Sequence, residues 1–181
     1  MHVRGAPSQD AHRTDGNRLH IAPQTWSEKM TDLSEAEISA LNAALDDEYD
    51  SWATYDRVIL DFGESPPFSH IREAEARHID ALRMLFARCR LPVPENPWPG
   101  RVPRFASLTE ACAAGVAAEV ANVALYDRLL AATQRPDILT VFHNLRAASQ
   151  ERHLRAFERC ALGFGRGAHH RRRGSERWVD G

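Results

Sequence analysis

The sequence has few of the features that mark several common classes of protein. Its three cysteines, Cys89, Cys112 and Cys160, are too few and too widely spaced for a disulfide framework or a zinc finger. Lysine is almost absent, because Lys29 is the only one. The net charge of -2 gives no general attraction to nucleic acid or to an anionic membrane. We therefore expect free buried thiols in a reducing compartment and no nucleic-acid partner.

The sequence also shows no long apolar segment to the eye. Residues 1–7 contain no apolar stretch of the kind that a signal peptide needs. We find no apolar run long enough to predict a membrane span. We accordingly expect a cytoplasmic protein with no membrane partner. The 181 residues, of which 43% are apolar, are sufficient for one domain with a sizeable core.

The chain divides into three regions by composition. Residues 1–31 are polar and show no period, so they predict a flexible leader. Residues 32–162 carry the periodic apolar pattern of a helical domain. Residues 163–181 form a basic tail, for which we weigh polyanion or partner binding against a solvated, disordered terminus. We favour the disordered terminus.

Two helices are predicted in the first half of the domain. Ser34–Glu37 has the pattern of a capping box and begins a helix that ends at Gly63. A second helix begins near the prolines at 66–67 and ends before the Leu-Pro pair at 91–92. In both helices the core positions recur at alternating spacings of three and four. That spacing is typical of the seam of a helix bundle.

Two further helices are predicted after a proline-rich segment. Residues 91–106 contain five prolines and predict either a long crossover or a linker between two helical hairpins. Ser107–Glu110 is a second capping box, and Pro136 is suited to the first turn of a fourth helix that ends near Leu162. The sequence therefore predicts an all-α fold of four helices.

Polar residues interrupt the apolar seams at corresponding places. Glu48 lies in the first seam, Glu75 and His78 lie in the second, and Glu119 lies in the third. A Glu and a His three residues apart project from one face of a helix. A lone carboxylate in an apolar seam costs several kcal/mol unless it is paired or bound to a cation.

The second half of the domain resembles the first half. Residues 48–57 and 119–128 both read Glu, six residues, then Tyr-Asp-Arg. Residues 77–81 and 152–156 both read Arg-His, an aliphatic residue, one residue, then Ala. A repeat that spans two helices predicts a bundle with a pseudo-twofold axis, which brings the special residues of the four helices to one depth.

Three carboxylates and two imidazoles are thus predicted at one level of an apolar core. Unpaired carboxylates in such a place repel one another, and two divalent ions between them remove the repulsion. The predicted metal ligands are Glu48, Glu75, His78, Glu119 and His153.

This pattern resembles the ferritin-like superfamily of di-metal carboxylate bundles, in which each half supplies a Glu and a Glu-x-x-His. Residues 46–48, 68–78 and 153–157 are similar to the prokaryotic ferritin-like family catalogued as domain of unknown function 2202. Rubrerythrin, bacterioferritin and manganese catalase are more distant in pattern. The resemblance covers roughly residues 33–162. It implies an antiparallel four-helix bundle with a long Pro-rich crossover between helices 2 and 3, and the same five ligands.

The sequence departs from this family pattern in the fourth helix. The pattern has a glutamate at position 150, where this chain has Gln150. Glu151 would reach the site only through a π-bulge, and we interpret it as a solvated residue. Three carboxylates do not balance two divalent ions, although a hydroxide or oxo bridge could supply the remaining charge, and we expect the second metal position, near Gln150 and His153, to be weaker than the first.

Other polar residues follow the same faces. Tyr55 and Tyr126 lie seven residues after Glu48 and Glu119. We weigh equally a role near the metals, as hydrogen-bond donor or radical relay, and a role as core aromatics with a satisfied hydroxyl. Asn122 is a candidate donor to a ligand carboxylate.

Oxygen and nitrogen ligands without thiolate suit iron or else manganese. The leading hypothesis is a di-metal oxidoreductase that activates dioxygen or peroxide with an external electron donor. The alternatives are an iron-binding ferroxidase of the storage type and a non-enzymatic helical module with a relic metal site. The off-seam apolar residues Phe86, Val116 and Val120 suggest a homodimer.

Overall fold

A computed structural model of the protein describes residues 33–163, and all regular structure in that range is helical. The helices follow in the order α1 (Glu35–Phe62), α2 (Phe68–Arg88), α3 (Leu108–Leu130), α4 (Pro136–Ala148), a π-helical turn (Ser149–His153) and α5 (Leu154–Ala161). The prediction of an all-α fold is therefore confirmed for this part of the chain. The predicted leader, and the predicted tail apart from Gly163, lie outside the described residues.

The starts of α1 and α3 follow from their capping residues. Ser34 Oγ accepts a hydrogen bond from the Glu37 backbone N–H (3.2 Å), and Glu37 Oε2 accepts one from the Ser34 N–H (2.9 Å). This capping box is confirmed. At α3, Ser107 Oγ accepts from the Glu110 N–H (3.1 Å), but the Glu110 carboxylate accepts from the Ala106 N–H (2.9 Å). The second capping box is therefore only half formed, because Glu110 reaches one residue further back.

α1 and α2 are antiparallel neighbours. Tyr55 packs against Phe68 with ring centroids 5.8 Å apart. Further along, Arg83 Nε donates to the Tyr49 hydroxyl at 3.4 Å. Residue numbers therefore rise along α1 as they fall along α2. Gly63, at a φ of 88°, ends α1 in a backbone conformation that favours glycine.

α3 packs in the same antiparallel manner against the π-helical turn and α5. A disulfide joins Cys112 to Cys160, with their Cα atoms 5.8 Å apart. The expectation of free thiols is therefore wrong for these two residues, and Cys89 is the free cysteine in the described range. No local pattern predicts this pair, because 48 residues separate the two positions and helix packing brings them together.

A close approach between α3 and α5 depends on Gly115. A Cβ atom at this position would lie 2.7 Å from the ring of Phe157, which is fully buried. Any larger residue at 115 would therefore push the two helices apart or displace the Phe157 ring.

The proline-rich segment, residues 91–106, forms no helix or strand and runs beside α1. Trp98 Nε1 donates to Asp46 Oδ1 at 3.0 Å, in the first half of α1. Arg104 Nε donates to Asp61 Oδ2 at 3.0 Å, at the other end of α1. The segment therefore leads from the end of α2 along most of the length of α1 to the start of α3.

Buried apolar residues form two clusters. One cluster takes residues from 40–49, 79–86, 126–129 and 138–145. The other takes residues from 55–59, 68–71, 111–112 and 157. Along α2, α3 and the continuous segment from α4 to α5, buried polar residues lie between the stretches that feed the two clusters. The fold thus places a polar level within an apolar core.

α3 is long and apolar enough, in length and composition alone, to cross a membrane. The expectation that no apolar run has this length is wrong for this helix. Core helices of proteins outside membranes meet the same two criteria. α3 also buries Glu119 and Asn122 among the other helices. Length and composition therefore assign no location to α3.

The three off-seam apolar residues differ in exposure. Phe86 is 1% exposed and belongs to the first apolar cluster, so it does not support a homodimer. Val116 is half-buried and packs against the second cluster. Val120 is 55% exposed, so of the three it alone leaves most of its surface open to a partner.

Candidate metal centre

The structure brings together all five residues that the sequence predicts as metal ligands. α1 supplies Glu48, α2 supplies Glu75 and His78, α3 supplies Glu119, and the π-helical turn supplies His153. The three carboxylates and His153 are at most 4% exposed, and His78 is half-buried. Buried carboxylates at such density require cations or protons.

Glu48, Glu75 and His78 form the first ligand group. His78 Nδ1 lies 2.7 Å from Glu75 Oε2 and 3.1 Å from Glu48 Oε2. One donor atom from each of the three residues lies within 4.8 Å of the others. Two carboxylate oxygens and an imidazole nitrogen at this separation can bind one ion.

Glu75, Glu119 and His153 form the second ligand group. His153 Nδ1 lies 3.2 Å from Glu75 Oε1 and 3.6 Å from Glu119 Oε1. This nitrogen is buried, and neither contact has the geometry of a hydrogen bond. A buried ring nitrogen that faces two carboxylates without bonding to either fits a position that a cation would fill.

Glu75 belongs to both groups. Its Oε2 faces His78 and its Oε1 faces His153. The two imidazole rings stack with their centroids 5.6 Å apart. The two groups are therefore adjacent and have the Glu75 carboxylate in common, and each could hold a metal ion.

Without metal, the first group retains protons. Burial, followed by the charge of Glu75, raises the pKa of Glu48 to about 8. Burial alone would lower the pKa of His78, but hydrogen bonds to Glu48 and Glu75 outweigh it and raise that pKa to about 10. Protons therefore take the place of a cation between these side chains.

The second group behaves similarly. Burial would lower the pKa of His153, but contacts with Glu119 and Glu75 raise it to about 9. Burial would raise the pKa of Glu75, yet the close contact with His153 and the hydrogen bond to His78 hold it well below its usual range. Glu75 is therefore the charged carboxylate between two protonated imidazoles.

Two buried tyrosines donate to the ligand carboxylates. The Tyr126 hydroxyl donates to Glu48 Oε1 at 2.6 Å, and the Tyr55 hydroxyl donates to Glu119 Oε1 at 2.8 Å. Burial and the neighbouring carboxylates raise the pKa of both hydroxyls well above the usual value, so both remain donors. These contacts satisfy both hydroxyls and fit either role weighed for Tyr55 and Tyr126, and the radical-relay role remains a prediction.

A chain of hydrogen bonds links three helical elements beside the second group. Ser149 Oγ donates to Asn122 Oδ1 at 2.8 Å, and Asn122 Nδ2 donates to Asp47 Oδ2. Asn122 therefore bonds to Asp47 and not to one of the five predicted ligands. Burial raises the pKa of Asp47 to about 6, with further contributions from Glu119 and Glu75.

Sequence reasoning missed Asp47 as a site residue. It precedes Glu48, so it lies about 100° away on the helix and does not share the apolar seam. The available signal was Asn122, a polar residue in the third seam that needed a partner on another helix.

The fourth helical segment adopts the π-helical turn Ser149–His153, but the turn brings no carboxylate into the site. Gln150 is exposed, and its Oε1 accepts a hydrogen bond from Arg146 Nη1 at 2.7 Å. Glu151 is also exposed, as interpreted from the sequence. The buried members of the turn are Ser149 and His153.

A cavity of about 220 Å³ lies beside the centre. Its lining is mainly apolar and includes Phe68 and the ring of Tyr55, whose hydroxyl contacts Glu119. Asp50 and Thr54 supply polar atoms to one part of the wall, where Thr54 Oγ1 donates to Asp50 Oδ1 at 3.3 Å. A small organic molecule in this cavity would lie one side chain away from the ligand carboxylates.

Comparisons with known proteins show that this fold is similar to one solved structure described below. No protein-family model matches the sequence, and no curated protein matches it. The crystal structure of the hypothetical protein MJ0754 from Methanococcus jannaschii is similar, with a TM-score of 0.64 and 24% sequence identity. The match covers 74% of this chain and 83% of that one. At this identity the likeness concerns the fold alone.

Proposed function

We propose that the domain is a ferritin-like antiparallel four-helix bundle that binds two ions of iron or manganese and acts as an oxidoreductase on dioxygen or peroxide. The helical core would comprise α1, α2, α3 and the continuous segment from α4 to α5. The antiparallel pairs and the long proline-rich segment beside α1 support this arrangement.

One observation carries the proposal. Glu75 is shared by two buried groups, each with a second carboxylate and one imidazole. Such a set does not stabilise the folded protein by itself, because buried carboxylates without a bound cation lower the free energy of unfolding. The absence of thiolate among the ligands favours iron or manganese over softer metals.

The bound metals would supply the binding and reduction of the oxidant. The protein residues would hold the site ready for that chemistry. Glu75 would help to hold both ions, and His78 and His153 would each present a ring nitrogen beside a different oxygen of Glu75. Tyr126 and Tyr55 would fix Glu48 and Glu119 by their hydrogen bonds and could pass a proton at those oxygens.

The surroundings support an oxidase or peroxidase role. The ligands are buried among aromatic and aliphatic side chains, which limits access of water. The cavity beside Tyr55 has room for a small organic substrate. Three cysteines cannot form a four-cysteine iron site, so the electrons would come from that substrate or from an external donor.

The proposal is tested by reconstitution with Fe²⁺ under anaerobic conditions, followed by addition of dioxygen or peroxide with a reductant. We expect two irons per chain, an absorption band of the oxidised centre, and repeated consumption of the oxidant. Accumulation of many irons per chain in a large oligomer would instead indicate iron storage. Failure to bind iron or manganese would contradict the proposal and favour the relic module.

A further inference from the structure

The three ligand carboxylates do not by themselves balance the two ions of the proposed centre. Two divalent ions carry four positive charges, whereas Glu48, Glu75 and Glu119 carry three negative ones. The fourth helical segment supplies no further carboxylate, because Gln150 and Glu151 are exposed. The shortfall falls on the second group, whose imidazole belongs to that segment.

Asp47 is half-buried on α1, one residue before Glu48, and is not among the donor atoms that lie within 4.8 Å of one another in the second group. Its carboxylate contacts α3 next to that group, because it accepts a hydrogen bond from Asn122 Nδ2. Asn122, which holds Asp47 Oδ2, follows Glu119 by one helical turn on α3. Within residues 33–163, no hydrogen bond reaches the other oxygen, Oδ1.

Asn122 is fixed so that it presents its amide group to Asp47. Its Oδ1 accepts from the Ser149 hydroxyl at 2.8 Å, and both residues are buried. Ser149 begins the π-helical turn that also carries His153. The chain of hydrogen bonds therefore ties the position of Asp47 to the helical turn that presents the second imidazole.

We infer that Asp47 is the fourth carboxylate of the centre and serves the divalent cation held by Glu75, Glu119 and His153. It would take the place of a carboxylate from the fourth helical segment. The buried and unbonded His153 Nδ1 is an independent sign of a cation at this position. The inference rests on the metal centre of the proposed function.

The test is a calorimetric titration of Asp47→Asn with Mn²⁺, which avoids oxidation, next to the wild type. Asparagine keeps the size and one oxygen of the side chain but removes the charge. We expect the first ion to bind as in the wild type and the second to bind at least tenfold more weakly. A loss of less than tenfold for the second ion would overturn the inference.

Three comparisons keep the result clear. Asp46→Asn, which changes an exposed neighbour bonded to Trp98, should bind both ions as the wild type does. Asp47→Glu, which keeps the charge, should retain the second ion within tenfold, and its loss would count against Asp47 as a ligand. The metal-free Asp47→Asn variant should unfold at an equal or higher urea concentration, because a partly buried charge is removed. If the wild type binds no metal, the proposed function itself fails.

Discussion

The two ligand groups share Glu75 but differ in how they are held. In the first, His78 lies within hydrogen-bond distance of both Glu48 and Glu75. In the second, His153 forms no hydrogen bond through Nδ1. The first imidazole is three residues from its carboxylate on a regular helix, whereas the second lies at the end of a π-helical turn.

This contrast shows how a regular helix can bring two candidate ligands together. A Glu-x-x-His pair on one helix fixes two ligands by helix geometry alone. The three ligands of the second group come from three separate helical elements. The position of each ligand therefore depends on how those elements pack together. We therefore expect the first position to bind metal more tightly than the second.

The largest effect should come from Glu75→Gln, which changes the carboxylate common to both groups. Both ions should bind more than about 100-fold more weakly, because each position loses a charged ligand. Calorimetric titration with Mn²⁺ measures the effect. Glu73→Gln, an exposed change on the same helix, is the matched control and should bind as the wild type does. If the variant binds either ion with wild-type affinity, Glu75 is not a ligand at that metal position.

A smaller and selective effect should distinguish the two imidazoles. His78→Ala should abolish the tighter binding event and leave one weak event, whereas His153→Ala should leave one tight event. Each imidazole belongs to one group only, which is the reason for the selectivity. Metal content after gel filtration gives the stoichiometry. Identical behaviour of the two variants would contradict the division into two groups.

The metal-free protein should become less stable as the pH rises from 6.5 to 9. The folded-state pKa values of His78 and His153 are raised to about 10 and about 9, so their stabilising protons are present below pH 6.5 and are lost through that range. The raised pKa of Glu48, about 8, acts in the same direction. Urea unfolding with a chelator should show a loss of more than about 1 kcal/mol.

The same linkage predicts the opposite trend once metal is present. A metal ion must displace the protons, so its affinity should increase from pH 6.5 to 8. Calorimetry in buffers with different ionisation enthalpies would count the released protons. Metal affinity that is independent of pH would show that the imidazoles are not ligands.

A moderate effect is expected from the two tyrosines. Tyr126→Phe should weaken the first position and Tyr55→Phe the second, each by about tenfold, because a hydrogen bond to a ligand carboxylate is lost. Turnover of the oxidant tests the relay role separately. If only Tyr55→Phe slows turnover at saturating metal, the relay belongs to Tyr55. If both variants bind metal with wild-type affinity, Tyr55 and Tyr126 act only as aromatic residues of the core.

The smallest effect is expected from Gln150→Glu. The side chain at 150 is exposed and bonded to Arg146, so an added carboxylate there should not alter either metal position. Titration should give wild-type affinities for both ions. A tighter second position in this variant would mean that residue 150 turns inward when metal binds.

Much of the helical pattern could be predicted from the sequence. Ser34, Gly63 and Pro136 mark helix ends by local chemistry, and the structure agrees with each of them. Four of the five predicted ligands come together because each follows the face of a regular α-helix, whereas His153 lies in the π-helical turn. The internal repeat supplied the registration between the two halves, since it aligned Glu48 with Glu119.

The rest depended on packing between distant residues. The Cys112–Cys160 bond and the contact between Asp47 and Asn122 join separate helices, and no local pattern encodes either. The burial of Phe86 also follows from the neighbours that surround α2 and not from its seam. The apolar periodicity of one helix predicts which face is buried, but it does not predict contacts between particular residues of different helices.

A calorimetric titration of the metal-free wild-type protein with Mn²⁺ tests the central claim most directly, with Glu75→Gln as the reference. We predict two ions per chain in two separable events, the first tighter than the second, both absent from the variant. No binding by the wild type, or binding that the variant keeps, would contradict a metal centre at these residues.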